Sequence, residues 1–212
     1  MDKIKRHIFF LISASILTII IHGCEESFVV DITDPRLPEY SESGRNHAGA
    51  YINDQPWRYY PRYTFKGGEA PADLRFDEAT DSYILSFPPG NYITPWGTHG
   101  ALGDIFFILS AESVRPILEE TAQYPFVISL DGELARAELL LYDGQTSSTR
   151  VPCFSSKGQL HLRKLSVSGS DPERRILIAG TFGFDVDDQC GTYEVHSGRF
   201  DLFFRCFSQS CF

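Results

Sequence analysis

Ile176-Leu177-Ile178-Ala179-Gly180-Thr181-Phe182-Gly183-Phe184-Asp185-Val186 is the stretch on which the fold turns. Ile176, Ile178, Phe182, Phe184 and Val186 fall on one side of a period of two, while Ala179, Thr181, Gly183 and Asp185 on the other are small or polar. Alternation of this kind belongs to a strand with one face in a core. Tyr83-Leu85-Phe87 and Tyr124-Phe126-Ile128-Leu130 repeat it, and Ile105–Leu109, apolar on both sides, reads as a central strand. Turn-forming residues separate these runs at Asn53-Asp54, Pro89-Gly90-Asn91, Asp131-Gly132, Asp143-Gly144, Gly169-Ser170-Asp171-Pro172 and Asp187-Asp188. Only Val114–Gln123 has room for a turn or two of helix, limited by Pro116. The expectation is an all-β protein of about nine or ten strands, an antiparallel β-sandwich or a lipocalin-like β-barrel.

Four cysteines lie in the same half of the chain: Cys153, Cys190, Cys206 and Cys211. No C-x-x-C pair and no histidine at ligand spacing accompanies them, so two disulfides are expected rather than a metal. If the strand after Val151 turns at Gly169–Pro172 and returns through Ile176, paired residue numbers sum to 341–343. Cys153 and Cys190 then face each other at the open end of a long hairpin, and Cys206–Cys211 closes a small C-terminal loop.

The N-terminus has a different grammar. Lys3, Lys5 and Arg6 precede an apolar run, Ile8–Ile21, which is shorter than the roughly 20 residues of a bilayer-crossing helix and fits a cleaved signal peptide. Ile21-His22-Gly23-Cys24 resembles the bacterial lipobox, in which the cysteine thiol takes a diacylglycerol. Residues 1–23 are expected to be removed, and Cys24 to become the lipid-bearing first residue, with palmitate-type chains holding the protein on the outer membrane of the cell envelope. Glu25-Glu26 resembles the acidic signal that sends some lipoproteins to the cell surface, which leaves the face, surface or periplasmic, open. From Cys24 to Asn46 the chain is polar, acidic and holds Pro35 and Pro38, as a flexible tether would, with a short strand conceivable at Phe28–Val30. A single all-β domain is expected over 47–212.

The formal net charge is −9, and the loss of three basic residues and one Asp with residues 1–23 takes it to −11. Such a chain repels nucleic acid, and its membrane affinity must come from the lipid.

Ala50-Tyr51-Ile52-Asn53-Asp54-Gln55-Pro56-Trp57, Gly158-Gln159-Leu160-His161-Leu162, Gly180-Thr181-Phe182-Gly183-Phe184 and Gly198-Arg199-Phe200-Asp201 together resemble a set of small Gram-negative lipoproteins of unknown function. The resemblance implies a shared β fold and a lipid anchor. It implies no catalytic residues, and the paired cysteines and residues 58–101 fall outside it.

No nucleophile elbow, phosphate-binding glycine loop or zinc-protease motif is present, and His47, His99, His161 and His196 are scattered. Asp185-Val186-Asp187-Asp188 lacks the ligand set of a calcium loop. The protein is therefore read as a non-enzyme without cofactor or metal. Trp57, Tyr59 and Arg62, and Tyr92 and Trp96 in a Pro/Gly-rich loop, are the candidate ligand contacts, since flat rings stack on sugars or apolar groups and Arg bonds carboxylates. The function expected is a lipid-anchored binding module for a glycan, a small apolar ligand or a partner envelope protein. A structural accessory of an envelope complex is the alternative.

Overall fold

The structure is a computed structural model that describes residues 36–59, 72–87, 103–118, 123–132, 134–142, 150–169, 174–188 and 190–206. Among the described residues the strands are β1 (His47–Ile52), β2 (Gln55–Tyr59), β3 (Asp73–Asp77), β4 (Ser82–Phe87), β5 (Asp104–Ser110), β6 (Phe126–Ser129), β7 (Ala135–Tyr142), β8 (Arg150–Ser168), β9 (Arg174–Asp188) and β10 (Gly191–Cys206), with one helix, α1 (Ala111–Leu118). They form a single antiparallel sheet in the order β2-β1-β10-β9-β8-β7-β5-β4-β3, with β6 beside β8, curled into a half-barrel. The expected all-β antiparallel architecture is present as one curled sheet.

The long β8–β9 hairpin follows the predicted register. Its pairs run from Ser155↔Val186 to Ser168↔Arg175 and sum to 341–343 throughout. Cys153 and Cys190 are joined by a disulfide with their Cα atoms 5.8 Å apart. On β9 the expected inward face is buried, with Ile176, Phe182, Phe184 and Val186 all at most 1% exposed.

Curling brings opposite edges of the sheet together inside. The Phe87 ring of β4 lies 6.3 Å from Trp57 and 6.4 Å from Tyr59 on β2, and 5.9 Å from Phe107 and 5.7 Å from Phe200. Phe182 meets Phe107 edge-on at 5.1 Å and stacks near Phe184 at 6.4 Å. The concave side is thus filled by aromatic rings in the offset and edge-to-face arrangements their quadrupoles favour. Gly198 and Gly180 leave room for them. A Cβ on Gly198 would collide with the Phe182 ring, and one on Gly180 with the His161 carbonyl and Phe200.

Two details differ from expectation. The helix begins three residues earlier, because Ser110 caps it: Ser113 N–H donates to Ser110 Oγ at 3.1 Å. More consequentially, residues 36–46, expected as the end of a tether, lie against the outer face of β1 and β10. Leu37 is 4% exposed, and Pro38 occupies the space where a Cβ on Gly49 would stand. We call this segment the strap.

Candidate functional site

The strap is gathered around one carboxylate. Asp201, on β10 opposite His47, is fully buried. It accepts hydrogen bonds from Ser41 Oγ, from Gly44 N–H at 2.6 Å, from Arg45 N–H at 3.1 Å and from Ser43 N–H at 3.2 Å. Three successive backbone N–H groups converging on an anion form a nest, a concavity with fixed positive partial charge. Burial pushes the Asp201 carboxyl up, but the Ser41 hydroxyl and the Arg45, Gly44 and Ser43 N–H groups outweigh it and hold the carboxyl below its usual range. Around this centre, Asn46 Oδ1 accepts from Phe203 N–H at 2.7 Å, and Lys164 Nζ donates to the Glu42 carbonyl at 2.9 Å.

Ser41, His47 and Asp201 are the residue types of a hydrolase triad, but they are not wired as one. The serine hydroxyl donates directly to the carboxylate, whereas His47 Nε2 meets the Glu39 carbonyl at 2.9 Å. Burial lowers the His47 pKa, against the opposing effects of the Glu39 carbonyl and Asp201. This geometry holds a segment in place.

The expected ligand contacts resolve differently. Trp57 and Tyr59 are each 3% exposed. Trp57 Nε1 donates to the Gly103 carbonyl at 2.9 Å, and Tyr59 Oη accepts from Ala72 N–H at 2.7 Å. Their faces are spent on the core, because β2 is the edge that meets β4 across the interior. Arg62, Tyr92 and Trp96 lie outside the described residues, as do Cys24, Cys211, the Cys206 side chain and Phe28–Val30. Among the described residues no group of three or more His, Cys, Asp or Glu is placed to hold a metal ion. Asp185 is instead ion-paired with Lys157 at 3.1 Å.

The described surface has a concavity elsewhere. A cleft of 460 Å³ lies where the β3–β4 turn, the end of β5 and the start of β7 meet. Ile84 and Ile108 form its floor, with Asp77, Thr80, Ser82, Ser110, Leu134 and Arg136 around it. Most of these polar groups are engaged within the protein. Asp77 accepts from Ala79 N–H and Thr80 Oγ, Ser82 donates to the Thr80 carbonyl, and Ser110 caps α1. The Arg136 guanidinium stacks 4.7 Å above the Phe154 ring. Leu134 stays 48% exposed at its edge, so the lining sets these polar groups beside Ile84, Ile108 and Leu134. Burial raises the Glu138 pKa, against the opposing effect of Arg136.

Compared with known proteins, the chain matches no family model, no curated protein and no solved structure.

Proposed function

We propose that this is a lipid-anchored envelope protein, acylated at Cys24, whose β domain is a non-catalytic module binding a partner protein across its outer face. The basic start, the short apolar run and Ile21-His22-Gly23-Cys24 support the anchor, and the resemblance to small Gram-negative lipoproteins points the same way. One observation carries the mode of binding. Phe87, Phe107, Phe182, Phe184 and Phe200 fill the concave side, while the cleft opens on the outer face. A lipocalin-like calyx would need that concave space for a small apolar ligand. A glycan would need hydrogen-bonding groups not already engaged, and Asp77, Thr80, Ser82 and Ser110 of the cleft already serve local turns and the cap of α1. Ile84, Ile108 and Leu134 in the lining of a concavity suit the side chains of a protein partner.

The test is site-specific photo-crosslinking in the bacterium that makes the protein. A benzophenone residue at Leu134 should give a discrete, protease-sensitive adduct with an envelope protein. The same residue at Val167, equally open at 50% exposure but away from the cleft, should not. Identical patterns from the two positions, or no adduct from Leu134, would dismiss the cleft as the contact.

A further inference from the structure

We infer that the strap is the mount of the domain: it leads the chain to the membrane from the rim of the β1–β2 turn and turns the cleft away from the lipid. This rests on acylation at Cys24, proposed above. The direction of the strap is read from its contacts. Its first described residue, Arg36, lies 4.8 Å from the Tyr51 ring near the end of β1. Pro38 then touches Gly49, Glu39 meets His47 at the start of β1, and residues 41–45 surround Asp201. Asn46 binds Phe203 before the chain reverses into β1. The strap therefore runs antiparallel to β1, and the chain before it departs at the rim holding Asn53-Asp54 and the β9–β10 turn.

Every neighbouring pair in the sheet is antiparallel, so the turns alternate between two rims. The β3–β4 turn, the end of β5 and the start of β7 fall on the other rim, and these build the cleft. The height between rims is on the order of 20 Å for strands of six or seven residues.

With the strap docked, only residues 24–35 separate the lipid from the mount. A chain of that length reaches at most about 40 Å when fully extended, against about 80 Å for residues 24–46. The exit of the strap at this rim is what sets it towards the bilayer, and the exposed Asp54, Asp187 and Glu194 there keep it from settling onto anionic headgroups. The partner then meets the cleft from the aqueous side.

Energy transfer in proteoliposomes tests this. The full-length acylated protein is bound to vesicles of phosphatidylethanolamine and phosphatidylglycerol with acceptor-labelled lipid, a donor dye being clicked onto an azide residue at Gln55 or at Glu78, both exposed. The Gln55 dye should lie about 20 Å nearer the lipid than the Glu78 dye. Equal or reversed distances on vesicle-bound protein would overturn the mount. Protein that does not float with the vesicles at all would instead refute acylation. In a folded Ser41→Ala/Asn46→Ala variant, which loosens the strap but keeps the Asp201 carboxylate, the difference should shrink. An unchanged difference there would also overturn the inference.

Discussion

Replacing Asp201 by alanine should release the strap while the aromatic interior stays folded. The carboxylate accepts four hydrogen bonds, three of them from consecutive strap N–H groups. Hydrogen bonds to a charged group contribute about 1.5–3 kcal/mol each, which would total roughly 6–12 kcal/mol if all were lost without compensation. They are compensated, because a strap that lifts away lets water take the freed donors. Against this, lifting exposes Leu37, buried at 4%, at about 1.5–3 kcal/mol. Removing one member of a buried charged network costs about 3–5 kcal/mol. For a domain of this size that lowers Tm by roughly 10 °C. Limited trypsinolysis reports the strap separately, since Arg45 lies within it. Every 1.4 kcal/mol is tenfold in the opened population, so cleavage after Arg45 should accelerate by roughly two orders of magnitude or more. A variant that melts earlier with no faster cleavage at Arg45 would refute the latch, as would one unchanged in both. The Asp201 pKa is depressed, so its contribution is present above the ordinary carboxylate range and lost only as pH falls through the lower folded value. Wild-type Arg45 should therefore stay protected at about pH 5.

Other consequences can be checked on the same purified domain. Burial depresses the pKa values of His47 and His161, so stability should be full above about pH 6.5 and decline below it as the unfolded chain takes up protons. Melting curves between about pH 7.5 and 5.5 should show that slope, and His47→Gln/His161→Gln should flatten it. Cys153→Ala/Cys190→Ala opens a bridge spanning 37 residues, for which the chain-entropy model gives about 4 kcal/mol, read as a lower denaturant midpoint. A non-reduced digest should contain the Cys153–Cys190 peptide, and a Cys153–Cys206 peptide would contradict the hairpin register. Gly198→Ala drives a methyl into Phe182 and should cost about 1–3 kcal/mol, partly restored by Phe182→Leu; additive losses would mean that the two do not collide.

The β8–β9 hairpin and its disulfide were legible because a period of two, combined with a turn of known place, specifies both face and register. The strap was not. Its sequence is polar and Pro-bearing, and the groups that dock it are backbone N–H donors, which no residue type announces. The readable sign was its acceptor: Asp201 stands between Phe200 and Leu202-Phe203-Phe204, an acid in an apolar strand, and such a residue needs a partner when buried. Trp57 and Tyr59 misled for a different reason. Alternation with Arg58 shows that the two rings share a face, but only the curl of the sheet, which sets β2 across from Phe87, makes that face the interior. The cleft left no trace in sequence, since its residues come from two turns and four strands and most of its polar groups serve local turns and caps.

The account depends most on Cys24. The direct measurement is the intact mass and N-terminal peptide of the protein isolated from membranes of the cells that make it. Acylation should give a chain beginning at Cys24 and bearing a diacylglyceryl group on its sulfur. A chain beginning elsewhere, or an unmodified Cys24, would contradict it.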